Sequence, residues 1–331
     1  MNRVSGAPIG ASIGAMLVAI FTAEAAWSVP ADENYPSRPI RIVVPFSAGT
    51  AVDVIPRIVG KKLAARWQQP IVIENRPGAS GNIGADIVAH ARPDGYTLLG
   101  TPPGPLILNE RLMASMPFDP HAFVPVSIIA AVPNVLVVHP RLSIATIDEF
   151  VAYAKAHPGK LNLASPGNGT TPHLSGEWLR SLAGIDIVHV AYKGGAPALN
   201  DLLAGQVDAM FANLGDAMPH IRAGKLRLIA VGSSGRSSEF PDIASIAERY
   251  PGFASIAWYS VVAPPGTPES IVARLSSAID DVLRDPDIAK AFRDMFATPI
   301  GGTPQRTAAF IRDEAERWGR VINASGVRVE Q

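Results

Sequence analysis

The sequence predicts an α/β protein of two domains with parallel-rich sheets, closing around a hinged cleft. Three observations carry this prediction. From Arg38 onward short apolar runs alternate with helical periods, as they do where helices cover a parallel sheet. At 331 residues the chain is longer than one hydrophobic core usually organises. Finally, each half contains a strand, a turn rich in glycine and hydroxyl side chains, and a helix start, which together resemble half of an anion clamp.

The second of these turns is Ala164-Ser165-Pro166-Gly167-Asn168-Gly169-Thr170-Thr171-Pro172-His173. Pro172 suits the first helical position and Thr171 the cap before it. Free N–H groups at that helix end would point into the loop, where the dipole favours an anion. Upstream, Ile40–Val44 reads as a strand, residues 45–52 as its loop, and Asp53 as able to cap the helix that follows. A small acid held between the two turns fits both. Taken alone, either turn is ordinary α/β connection chemistry, since most such turns bind nothing.

The remaining elements follow from periodicity. The helix after Asp53 places Val54, Ile55, Ile58, Val59 and Leu63 on one side, with Pro56 in its first turn, where a missing N–H is harmless. Residues 70–74 form a strand, and Gly78, Gly81 and Gly84 mark a third glycine-rich turn. Residues 96–100 are a strand, 102–105 an irregular loop, and 126–130 and 134–139 two further strands. Thr146 with Glu149 forms a capping box. Residues 161–164 begin the second half, and its first helix carries Leu174, Trp178 and Leu182 at i, i+4 and i+8. A strand over 185–190 leads through Lys193-Gly194-Gly195-Ala196-Pro197 to a helix with Leu199, Leu202 and Leu203 inward. Residues 206–211 and 226–232 complete that sheet. Ile256–Ala263 reads as the return crossing, followed by helices starting at Thr267-Pro268 and Thr303-Pro304 that should pack on the first domain. The expected division is 32–138 and 257–331 for domain 1 and 139–256 for domain 2. Two crossings beside a cleft describe a hinge-closing binding protein.

Residues 1–31 differ in kind. Arg3, the small apolar run from Ile9 to Phe21, and the cleavage candidates Ala23-Glu24-Ala25 and Val29-Pro30-Ala31 read as a secretory signal peptide. The mature chain would begin between Ala26 and Asp32. The apolar run falls short of the ~20 residues of a membrane span.

Composition narrows the function classes. Lys plus Arg and Asp plus Glu both count 29, so no basic field exists to attract nucleic acid. Cysteine is absent, which removes disulfides, thiolate catalysis and cysteine metal sites. The seven histidines lack HxH or HExxH spacing, and no metal or other cofactor is expected. The glycine spacings match neither GxGxxG nor a Walker A loop, and GxSxG is missing from residue 32 onward, its one match, residues 10–14, lying inside the expected signal peptide.

Several stretches together resemble the Bug receptors, the periplasmic solute-binding proteins of tripartite tricarboxylate transporters. They include Tyr35-Pro36-Ser37-Arg38-Pro39-Ile40, Pro45-Phe46 with Gly49 and Asp53, Glu74-Asn75-Arg76-Pro77-Gly78, and Pro93-Asp94-Gly95-Tyr96-Thr97-Leu98. Pro133-Asn134-Val135-Leu136-Val137-Val138, Gly167-Asn168-Gly169-Thr170 with His173-Leu174, and Tyr192-Lys193-Gly194-Gly195-Ala196-Pro197-Ala198-Leu199 continue the series. Gly205-Gln206-Val207-Asp208 and Ala263-Pro264-Pro265-Gly266-Thr267-Pro268 complete it across the whole mature chain.

The resemblance implies a type II periplasmic-binding-protein fold that grips a ligand carboxylate between two loops. Phe46, Ser47, Gly49, Thr50 and Asp53 would form one jaw, and Ser165, Asn168, Gly169, Thr170 and Thr171 the other. Asn82, Tyr192 and Asn213 would line the cleft. Fixed N–H and O–H donors can hold a carboxylate without a lysine or arginine. Asp53 cannot accept a carboxylate, so capping or an ammonium or hydroxyl on the ligand suits it better. The chain departs from the family where Thr50 replaces a common glycine, Ala48 a frequent proline, and Ala212 a common acidic residue.

The function so implied is a periplasmic receptor, monomeric and non-catalytic, that delivers a small organic acid to a tripartite tricarboxylate-type permease. Dicarboxylates, tricarboxylates, amino acids and aromatic acids all remain candidates. A ligand-sensing partner of a sensor kinase is the first alternative. An exported enzyme built on Ser165, His173 and Asp53 is the second, without a motif behind it.

Overall fold

The computed structural model describes residues 1, 2, 6, 34–237 and 239–328. Apart from residues 1, 2 and 6, the expected signal peptide and its cleavage sites lie outside the described residues. The chain opens with β1 (Ile40–Val44), α1 (Ala51–Trp67), β2 (Ile71–Asn75), α2 (Asn82–Ala89), β3 (Thr97–Thr101) and the single turn α3 (Asn109–Leu112). β4 (Val124–Val138) leads to α4 (Ile147–Ala156), β5 (Asn162–Ser165), α5 (Thr171–Ala183), β6 (Val188–Ala191), α6 (Gly195–Leu203), β7 (Ala209–Asn213) and α7 (Leu214–Arg222). β8 (Arg227–Val231), α8 (Ile246–Arg249), β9 (Ile256–Ala263), α9 (Glu269–Leu283), α10 (Pro286–Asp294), β10 (Thr298–Pro299) and α11 (Pro304–Ser325) finish it.

The sheet repeats one unit twice. β1 lies between β2 and β3, all parallel, and β5 lies between β6 and β7, again parallel. The antiparallel pair β9 and β4 joins the halves in the order β2-β1-β3-β9-β4-β7-β5-β6, while β8 and β10 also pair with β4. Strands buried on both faces need continuous apolar runs. Two central strands meet that need: Ile42, Val43 and Val44 of β1 are all buried, as are Leu136, Val137 and Val138 of β4.

Two strands expected at 126–130 and 134–139 form the single strand β4. It pairs with β9 as far as Pro133 and with β7 and β8 from Asn134 or Val135 onward. The N–H that Pro133 lacks therefore falls where the partner changes, so the proline does not interrupt a ladder. The return of the chain meets the same point. Gly232 N–H donates to Asn134 O at 2.7 Å, Asn134 N–H to Ser255 O at 3.2 Å, and Asn134 Nδ2 to Ser255 Oγ at 2.7 Å.

Helix faces follow the expected pattern with two shifts. On α5, Leu174 is buried and Trp178 half-buried, but Leu182 is 43% exposed, and Leu179 and Ala183 take the inward places. The inward face is thus turned by one residue, because Trp178 stacks on Phe253 with centroids 4.6 Å apart. On α11, Trp318 is fully buried and meets the Trp178 ring edge-on at 6.2 Å. That helix accordingly packs along α5 as well as on β4, rather than on the first segment alone.

Candidate functional site

The loops that follow β1, β2, β3, β5, β6 and β7 all line one cavity. This is the general position of ligands in α/β sheets, beyond the carboxyl ends of parallel strands. Its volume is about 70 Å³, room for a small molecule. The first-turn or capping residues of α1, α5, α6 and α7 reach it through Thr50, Thr170, Gly195 and Asn213. Helix starts carry unpaired N–H groups and a partial positive charge, so four of them favour an anion without a basic side chain.

In the first jaw, Phe46, Ser47 and Thr50 line the cavity. Asp53 does not; it is 3% exposed and turned into its own loop. Its Oδ2 accepts Gly49 N–H at 3.1 Å, and its Oδ1 accepts Arg57 Nε and Asn75 Nδ2, both at 2.9 Å. Burial would raise the Asp53 pKa, but the bonds from Arg57, Asn75 and Gly49 outweigh it and hold the carboxyl below its ordinary value. Asn75 Nδ2 also donates to Phe46 O at 3.0 Å. Asp53 and Gly49 therefore shape the loop from behind. The α1 cap is Thr50, not Asp53, and its side chain makes no capping bond.

The second jaw is capped one residue earlier than expected. Thr170 is the N-cap of α5, Thr171 its first residue and Pro172 its second. Thr170 Oγ1 donates to Gly167 O at 2.7 Å and accepts His173 N–H at 3.4 Å. Gly169, Thr170 and Thr171 line the cavity; Ser165 and Asn168 do not. Ser165 Oγ lies 2.7 Å from His189 Nε2 and accepts Gly167 N–H at 3.2 Å. Gly169 N–H donates to His173 Nδ1 at 3.1 Å, which leaves Nε2 to carry the neutral ring's proton. The two histidine rings stack at 4.1 Å. Ser165, His173 and Asp53 are not assembled into one site, since Asp53 is committed to Gly49, Arg57 and Asn75.

The histidine pair gives the fold an acid-sensitive support. Burial lowers His173 to about 3, with His189 and Arg180 adding to it, and burial lowers His189 to about 4, both from 6.5. These groups are neutral in the folded chain while the unfolded chain protonates near 6.5. Their contribution to stability is complete above that pH and is lost as pH falls through 6.5 towards 4 and then 3. Urea midpoints are expected to fall from pH 6.5 to 5, and more shallowly in His189→Asn. A parallel slope in both proteins would remove His189 from this role.

Of the three residues expected to line the cleft, Asn213 does so and two do not. Asn82 is buried, with Oδ1 accepting Asn109 Nδ2 at 2.6 Å and Nδ2 facing Met113 Sδ at 3.2 Å. The Tyr192 hydroxyl donates to Asp201 Oδ2 at 2.7 Å, and burial together with Asp201 pushes its pKa up to about 12. Its neighbours Gly194, Gly195, Ala196 and Pro197 line the cavity instead. Their glycine pair and helix-start proline repeat the signal of the Thr170 turn. Ser80, from the third glycine-rich turn, also lines the cavity, as do Pro102 to Gly104, Asp216 and Tyr259, which are not among the expected site residues.

Comparison with known proteins agrees with this architecture. The family described as "Tripartite tricarboxylate transporter family receptor" matches residues 55–327. Protein BugT of Bordetella pertussis is 38% identical over 318 residues, covering 95% of this chain and 98% of its own. The solved structure of R. palustris Rpa4515 with adipate has a TM-score of 0.86 and 35% identity, covering 89% of this chain and 99% of that one. MatC from Rhodopseudomonas palustris with bound malate has a TM-score of 0.81 and 33% identity, covering 87% of this chain and all of that one, 100%. With the family match spanning most of its length, this chain belongs to the tripartite tricarboxylate transporter receptor family.

Proposed function

We propose that the chain is an exported receptor that closes two domains on one small organic carboxylate and presents it to a membrane permease. The observation that carries this reading is the cavity lined by four helix starts and, among the described residues, by no lysine or arginine. Such a site holds an anion through preformed N–H and O–H donors, which costs little reorganisation when the ligand arrives. The adipate and malate named with two relatives are acids of this size. Domain 1 comprises residues 32–138 and 257–331 and domain 2 residues 139–256, with the hinge at the Asn134, Gly232 and Ser255 junction. The receptor acts as a monomer in the periplasm, without catalysis, and residues 1–31 direct its export.

Thermal unfolding of the mature chain against organic acids and their amides tests the reading. A ligand at 100 times its dissociation constant adds ~2.7 kcal/mol of stability. Stabilisation by an acid but not by its amide is the expected result. Absence of any shift with folded, ligand-free protein would overturn it. In the same assay Thr170→Ala with Thr171→Ala should weaken acid binding by about tenfold or more, as Thr171 loses a hydroxyl whose bond to a charged group contributes ~1.5–3 kcal/mol and Thr170 loses the bond to Gly167 O that holds the loop. The lost cap should cost only ~1 kcal/mol of fold stability. Unchanged affinity would remove these hydroxyls from the site.

A further inference from the structure

Among the described residues lining the cavity, Asp216 is the only charged side chain. Its Oδ1 accepts Ala51 N–H from the start of α1 at 3.2 Å, and its Oδ2 accepts Asn213 Nδ2 at 3.2 Å. Two more polar atoms stand beside it. Asn213 Oδ1 is buried without a partner, and the Tyr259 hydroxyl accepts Asn213 Nδ2 at 3.1 Å. This end of the cavity therefore offers a carboxylate, an unpaired amide oxygen and a phenol, with no cation facing them among the lining residues.

An anion brought to this end would meet the Asp216 carboxylate. It would also find the Ala51 N–H already taken by Asp216. The donors left for a ligand carboxylate lie at the start of α5, around Thr171; the start of α6 stands beside Asp216 instead, a Cβ at Gly195 falling 3.9 Å from its Oδ2. A positively charged or N–H-bearing group at the other end of the ligand would gain Asp216 and satisfy Asn213 Oδ1. We propose that the ligand is a carboxylate whose far end carries an ammonium, and that Asp216 with Asn213 selects it over a dicarboxylate of equal length. This proposal rests on the receptor reading above. Burial raises the Asp216 pKa, against the opposing bonds from Asn213 and Ala51, and a cationic partner would relieve that cost of charge.

Calorimetric titration of the mature protein with matched probes tests it: succinate with 4-aminobutanoate, and adipate with 6-aminohexanoate. The amino acid of at least one pair should bind tenfold or more tightly than its dicarboxylate. Asp216→Asn keeps an acceptor for Ala51 N–H, removes the charge and should bring that ratio to about one or below. Asp216→Ser serves as a second charge-free variant, and unfolding curves establish that each is folded. A dicarboxylate preferred by the natural protein, or a ratio unchanged in both variants, would overturn the proposal while leaving the carboxylate receptor intact. Failure of every probe to bind would overturn both.

Discussion

Replacing Trp318 with alanine is expected to lower stability by about 3–5 kcal/mol, the range for truncating a buried large aromatic. Its ring is fully buried where α11 meets α5, in the same apolar cluster as Leu99, Leu106, Ile128, Leu174 and Trp258. A truncation there opens a cavity between two helices rather than at a frayed edge. The indole adds a second consideration, because its Nε1 is buried without a hydrogen-bond partner among the described residues. An unpaired buried donor costs about 1–3 kcal/mol, so Trp318→Phe removes that cost together with part of the ring. Its expected loss is therefore only about 1–2 kcal/mol. Urea unfolding of the two variants measures the difference. Equal losses would mean that the N–H imposes no such cost and that ring volume decides stability here.

Much of the site was legible because helix starts have local signatures. Gly167, Gly169 and the two threonines announced a turn entering a helix, and the structure brings Gly169, Thr170 and Thr171 to the cavity. The same logic failed by one residue at the cap, since proline is accepted at the second helical position as well as the first. Asp53 shows a deeper limit. Its place in the loop was evident, but whether a carboxylate faces the cleft depends on Arg57 and Asn75, and Asn75 comes from another strand. Asp216 was invisible for a related reason. It lies 165 residues from the Ala51 N–H it accepts, on a helix obscured by Gly215 and Pro219. β4 similarly read as two strands because its proline becomes harmless only where the pairing partner changes.

Gly169→Ala is expected to lower acid affinity about tenfold to a hundredfold, roughly 1.4–2.7 kcal/mol, by opposing closure. Gly169 has φ +73°, where an alanine costs ~1–2 kcal/mol in any state of the cleft. The additional effect arises between the two proposed domains, because a Cβ at this position would lie 2.8 Å from Asn109 Oδ1 and 3.3 Å from Leu112 Cδ1. Asn109 cannot easily withdraw. It is fully buried, and its Nδ2 donates to Ser80 O at 3.1 Å and to Asn82 Oδ1 at 2.6 Å. The proposed closure would therefore break that pairing or stop short of the ligand. Asn109→Ala in the Gly169→Ala background removes the obstructing oxygen and should restore part of the affinity, whereas backbone strain alone would leave the double variant no better than the single one. A Gly169→Ala protein that binds acids as tightly as the natural chain would exclude the Asn109 and Gly169 approach from the ligand-bound state.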